Sequence, residues 1–275
     1  MKTGSDTPDL VAETGESRQG RARPRFRLAA GLAALSVGAS VLAAPPEVWW
    51  LDIVNDRESN VRQLLARGVD PNDVDTEGLP ALMLAIRTGA WKVYDALLAN
   101  RKTKVEVVNR HGETPLMYLA LLGDTERAQA LIKRGAQVNR LGWTPLHYAA
   151  SKGQSGTTRM LLDQGAIVNA PAPDGTTALM MAAYSGDRET VQLLLDRGAD
   201  ATTANLQKLA ASDWARERGH ARLAEELDAV AKRTQALREG RKLPESPVDR
   251  QGPKGAAEEG TSRYFNLDRF ETGED

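Results

Sequence analysis

Residues 144–153 read TPLHYAASKG and residues 177–202 read TALMMAAYSGDRETVQLLLDRGADAT, and the opening of the second stretch repeats the first nearly position for position. Laid on each other they superpose Leu146 on Leu179 and Gly153 on Gly186. The same frame recurs upstream in EGLPALMLAIRTG (77–89) and HGETPLMYLALLG (111–123), so Leu82, Leu116, Leu146 and Leu179 are spaced by 34, 30 and 33 residues. A period of this size marks stacked supersecondary units, each too small to bury its apolar face alone.

Each of these anchor leucines has a Gly four residues before it and another seven after it. Extending the register by 33 in each direction reaches Trp49 and Ser212, which makes six units. Nineteen residues past the anchors stand Gly68, Arg101, Gly135, Gly165 and Gly198, and from there to the next anchor the interval varies between 11 and 15. Length variation confined to one segment separates a packed module from an exposed connector, because packing does not tolerate insertions and loops do. Within the module, Val191, Leu194 and Leu195 of ETVQLLLDRG form an i, i+3, i+4 stripe that VRQLLARG and AQALIKRG repeat. That stripe is the buried face of a second helix, and the Gly closing it suits a left-handed cap. Thr114-Pro115 and Thr144-Pro145 open the first helix, where Pro loses no needed hydrogen bond. The expected class is all-α, built of helix pairs.

The pattern resembles the ankyrin repeat family, whose unit is about 33 residues with a T-P-L-H-x-A signature. TPLHYAASKG followed by RMLLDQGAIVN (159–169), and the 177–202 stretch, cover nearly every signature position. The resemblance spans 46–230, with units at 46–75, 76–110, 111–140, 141–173, 174–206 and 207–230. It implies an ankyrin-repeat α-solenoid: L-shaped units of two antiparallel helices with short hairpin-like fingers, binding another protein on a concave face made by fingers and first helices. It also implies local hydrogen-bonding roles for His147 and His220.

On that frame, the two residues before each mid-unit Gly and the residue three before each anchor point toward the concave face. Leu79, Arg87, Glu113, Leu121, Leu122, Trp143, Lys152 and Tyr184 are therefore the expected protein-binding residues. Exposed apolar and aromatic stripes mark interaction sites. The competing expectation is packing: Trp143 lies on its own shortened finger, and Leu121 or Leu122 fills the space left. Trp91 falls in an outer turn between helices.

The remaining features bound function by exclusion and address. A net charge of −1 gives no broad positive field for nucleic acid, and the chain has no Cys and only three His. No G-x-S-x-G or phosphate loop is present, so neither an enzyme, a cofactor nor a metal is expected. Residues 1–27 close with Arg18, Arg21, Arg23, Arg25 and Arg27, then 28–44 read LAAGLAALSVGASVLAA before Pro45-Pro46. A basic region, an apolar run of 17 residues and small residues at its end make a Sec-type signal peptide over 1–43, cut after Ala43. The expected location is the bacterial periplasm and the expected state a monomer, a membrane contact arising only if 28–44 is retained as an anchor. Residues 231–275 are rich in Pro, Gly and charge and are expected to be a disordered tail, yet its closing RYFNLDRF (263–270) holds two of the chain's three Phe.

Overall fold

The computed structural model describes residues 47–240, so the leader, the apolar segment 28–44 and the RYFNLDRF segment lie outside the described residues. Among the described residues twelve helices fall into six pairs: α1 Glu47–Val54 with α2 Glu58–Ala66, α3 Ala81–Arg87 with α4 Trp91–Ala99, and α5 Pro115–Leu122 with α6 Thr125–Lys133. α7 Pro145–Ser151 pairs with α8 Ser155–Asp163, α9 Ala178–Ser185 with α10 Arg188–Asp196, and α11 Ala211–Glu217 with α12 Ala221–Arg238. Among the described residues extended pairing is limited to two isolated bridges in the fingers, Val74 with Pro80 and Ala204 with Ala210. The chain is thus an all-α solenoid.

Composition sorts the helices into two layers. The inner helices α3, α5, α7 and α9 are buried on nearly every side, and in α5 all residues from Pro115 to Leu121 are buried, as a helix flanked by neighbours on all sides must be. The odd-numbered helices pack in succession from α1 to α11, most extensively between α5 and α7. The even-numbered helices bury one stripe: α10 hides Val191, Leu193 and Leu194 and leaves Arg188, Glu189 and Gln192 in solvent.

Burying the inner layer creates an obligation at each helix start, where the backbone N–H of the capping residue needs an acceptor. The residue following each anchor supplies it. Thr114 N–H donates to Met117 Sδ at 3.3 Å, Thr144 N–H to His147 Nδ1 at 3.2 Å, Thr177 N–H to Met180 Sδ at 3.4 Å, and Ala210 N–H to Asp213 Oδ2 at 2.9 Å. In the second unit the corresponding residue is Pro80, which has no N–H to satisfy.

Between units, the mid-unit turn sets the spacing. Gly153 has φ +63°, and a Cβ there would stand 2.6 Å from Cβ of Asp187, the residue that caps α10 in the next unit. Gln154 and His220 approach Gly123 and Gly186 in the same way. A second tie runs through asparagines four residues after the closing Gly. Asn139 bridges to Gly165 O and Ile167 N, and Asn169 bridges to Gly198 O and Asp200 N.

The joint between the second and third units departs from both rules. Nothing of the third unit comes within 4 Å of a Cβ placed on Gly89. Val105 occupies the asparagine position, and the bridge is made instead by Glu106 Oε1 accepting from Gln137 N–H at 2.8 Å. α3 and α5 pack less extensively than the later inner pairs. Larger side chains span the outer gap: the Arg127 guanidinium lies 4.2 Å over the Trp91 ring, Tyr94 OH donates to Arg127 O, and Arg134 donates to the carbonyls of Leu98, Asn100 and Thr103.

The last helix runs eight residues beyond the expected boundary at 230. Val230 and Ala231 pack against the core, and Arg238 ties the helix end back to the fifth unit through Asp200 Oδ2 and Thr202 Oγ1, both at 2.8 Å.

Two glycines at positive φ separate backbone strain from close approach. Gly165→Ala meets no neighbour and is expected to cost about 1–2 kcal/mol from the left-handed conformation alone. Gly153→Ala must also displace Asp187, and urea midpoints should put it about 1–3 kcal/mol below Gly165→Ala.

Candidate functional site: the inner groove

The C-terminal ends of the inner helices and the fingers face each other. Arg87, ending α3, reaches Glu77 on the finger of its own unit at 3.2 Å. A pocket of about 150 Å³ opens where this pair meets the finger of the third unit, lined by Glu77, Leu79, Arg87, Asn109, Arg110, His111, Glu113 and Tyr118. It lies at the joint where inter-unit contact is relaxed.

Its floor is a polar network crossing a unit boundary. Glu113 Oε1 accepts from Tyr148 OH at 2.8 Å, and Oε2 accepts from Asn109 Nδ2 at 2.7 Å and from Tyr118 OH at 3.5 Å. Asn109 Oδ1 in turn accepts from the N–H groups of His111 and Glu113, which fixes the finger as an Asx turn. A buried carboxylate held by several donors is a fixed negative wall for whatever enters.

Three of the eight residues expected from the sequence, Leu79, Arg87 and Glu113, line this pocket. Further along, Leu122 is 46% exposed and Lys152 is exposed, each at the end of an inner helix. Leu121 and Tyr184 are buried instead, at 3% and 7% exposure. Tyr184 stacks edge-to-face on Trp214 at 5.7 Å and carries the Arg218 guanidinium at 4.6 Å. Trp143 is half-buried and edge-to-face with His147 at 5.3 Å. Leu121 and Tyr184 precede Leu122 and Ser185 by one residue, which is 100° around a helix, and that rotation turns them toward the neighbouring unit. Sequence reasoning passed over Tyr118 and Tyr148, whose common place two residues after consecutive anchors was the available signal. It also passed over Arg110, Arg140 and Leu141 in the fingers.

His147 is fully buried and held at both nitrogens. Nδ1 accepts from Thr144 N–H, so Nε2 carries the proton and donates to Thr176 O at 3.1 Å. Burial pushes the imidazole from its ordinary value down to about 4, against the opposing effect of the Thr176 carbonyl. The ring is a structural link between the fourth and fifth units. Among the described residues no three of His, Cys, Asp and Glu stand together as a metal site.

Stacked helix pairs with a shaped groove along one side define a repeat-built binding scaffold. The family model for ankyrin repeats, three copies long, matches residues 53–141 and again 139–205, and the chain belongs to the ankyrin repeat family. The ankyrin repeat domain of Bcl-3, a member of the IkappaB protein family, superposes with a TM-score of 0.55 at 28% identity, covering 66% of this chain and 83% of that one. Eighty residues are 32% identical to the E3 ubiquitin-protein ligase KEG of Arabidopsis thaliana, and 76 residues are 36% identical to neurogenic locus notch homolog protein 4 of Homo sapiens. These stretches cover 29% and 28% of this chain but span only 5% and 4% of those proteins. Ankyrin repeat domains bind other proteins, and the fold is typically a non-enzymatic scaffold.

The depressed His147 value has a consequence for stability. Above pH 6.5 both folded and unfolded chains hold the ring neutral, and its full contribution is present; below that, the unfolded chain takes up a proton the folded chain refuses until about pH 4. The wild type should lose up to about 3 kcal/mol over this window relative to His147→Met, which copies the thioether acceptor of units three and five. Parallel urea titrations at pH 7 and pH 4 measure the difference. In the pocket floor, Tyr148→Phe should cost about 1–3 kcal/mol and Tyr118→Phe, with its longer contact, less; thermal melts of the two rank them.

Proposed function

We propose that this protein is an exported, non-enzymatic protein-binding scaffold of the bacterial cell envelope, working through the groove between its fingers and inner helices. The observation that carries binding is the combination at units three and four of Leu122 and Leu141, 46% and 99% exposed, with the exposed Arg110 and Lys152 and the half-buried Arg140. Apolar side chains left in solvent and bordered by cations fit a partner segment that offers apolar residues and carboxylates together. Export rests on the sequence of residues 18–44, where the arginines precede the apolar run.

A second reading keeps 28–44 as a membrane anchor. It is favoured by α1, the first helix after that segment, which exposes Val48, Leu51 and Val54 at 45–54%. These would lie against the bilayer surface beside the anchor. None of the helices among the described residues is long and apolar enough to cross a membrane.

Expressed in a Gram-negative host with its own N-terminus, the protein should appear in the periplasmic fraction with a mass beginning at Ala44. A membrane fraction carrying 28–44 selects the tethered form, and cytoplasmic protein with the leader intact overturns export. Partners captured from envelope extract should be lost with Leu122→Glu/Lys152→Glu, provided the variant keeps its melting temperature. Undiminished capture overturns the groove as the binding face.

A further inference from the structure

We propose that the closing segment of this same chain, residues 258–275, docks in the groove of units three and four and competes there with outside partners. The competition rests on the function proposed above; the docking does not.

Beside the groove stand cations that meet no carboxylate among the described residues. Most arginines around the solenoid meet a carboxylate, as Arg57, Arg62, Arg87, Arg127, Arg188, Arg197, Arg216 and Arg238 do. Among the described residues Arg110, Arg140 and Lys152 meet none, although Arg110 donates to His111 Nε2 at 3.3 Å. Arg110 and Arg140 both stand six residues before their anchors, so they occupy the same finger position in consecutive units. Leu122 and Lys152 both stand six residues after, at the end of the inner helix. The Arg87–Glu77 contact joins the positions one residue inside these, five after and five before the anchor, so within a unit the end of the inner helix and the finger confront each other across the groove. The exposed Leu141 adds an apolar tip next to Arg140 in the chain.

The closing segment has the complementary composition. It carries Glu258, Glu259, Asp268, Glu271, Glu274 and Asp275 against Arg263 and Arg269, and among them Tyr264, Phe265, Leu267 and Phe270. It therefore presents apolar side chains with a surplus of carboxylates. The distance is also compatible. Arg263 lies 23 residues past Gly240, the end of the described chain, which spans up to about 75 Å. The last helix belongs to the sixth unit, and the fourth is two helix spacings away, about 16–20 Å. A ligand tethered within reach has an effective concentration in the millimolar range, so a weak contact is sufficient to fill the groove.

The chain has no cysteine, so labels can be placed without background. Spin labels on Gln129→Cys, exposed on α6, and Ser262→Cys report whether the segment is held near unit three. Docking predicts one narrow distance in the unaltered chain. Arg110→Glu/Arg140→Glu/Lys152→Glu should reduce that population about tenfold, and Phe265→Ser/Phe270→Ser, which leaves the solenoid untouched, should do the same. A broad distribution in the unaltered chain, or a narrow one that both variants leave in place, overturns the proposal. So does a distance that vanishes on dilution with unlabelled protein, which makes a second copy the occupant. The readout needs no outside partner, so failure of partner capture with the narrow distance intact refutes the proposed function and leaves docking standing.

Discussion

How closely the turn of one unit can approach the next unit's outer helix governs this molecule. The turn backbone must lie bare against a capping side chain, which is why Gly153 meets Asp187 Cβ and why Gln154 and His220 cover Gly123 and Gly186. Where that approach is made, the inner helices interlock, the asparagine bridges close and the repeat distance is fixed. The first unit reaches the same end differently. Asp56, with φ 50°, stands in the glycine's place and its carboxylate caps Val93 N–H of α4 across the boundary. It accepts left-handed strain, which Asp tolerates better than most residues, in exchange for a helix cap.

Relaxing that approach at one joint creates the site. Between units two and three no capping side chain meets Gly89, and the opening on the inner side is the pocket around Arg87 and Glu113. The gap on the outer side could not stay empty, because voids forfeit dispersion contacts. Trp91, Tyr94, Arg127 and Arg134 fill it with large amphipathic side chains whose polar ends find carbonyls or a ring face. Arg101, in place of the closing Gly of the other units, and the 15-residue connector belong to the same irregular joint.

Most of the fold was legible because the constraints that impose it are periodic. Anchor leucines, paired glycines and the stripe of the second helix each recur at fixed offsets, and burial of one face demands that spacing. The groove was legible only in part. The frame set Leu79, Arg87 and Glu113 on one face, and in the structure they line one pocket, but it treated the two residues before each turn as equivalent, although one helical step separates Leu121 from Leu122 and turns the first into the core. Nor could spacing reveal that Tyr118 and Tyr148 converge on one carboxylate from two units, since that contact joins residues 35 apart in sequence. Shortening of the third connector explains another silent feature. With 11 residues instead of 14, Asn139 is drawn into the bridge to unit four's loop and is not available for the finger turn that Asn109 and Asn205 make in their units.

Stiffness is distributed unevenly along the groove as a result. The joint between units three and four has the shortest connector, the most extensive inner packing and the Glu113–Tyr148 bridge. Arg110 and Arg140 straddle that joint, so their separation is fixed by the least deformable part of the stack. The pocket sits one joint earlier, where few contacts resist a change of spacing, and low local contact density marks the part of a structure that opens first. A ligand laid along this face would thus meet two cations at a fixed separation, of which Arg110 also borders the adjustable cleft. Fixed charges select the register of an incoming segment at little cost in entropy, since their side chains need no reordering of the backbone beneath them. Under the proposed function, the adjustable cleft would then take side chains of differing size, and charge placement would distinguish partners while variation in shape is tolerated.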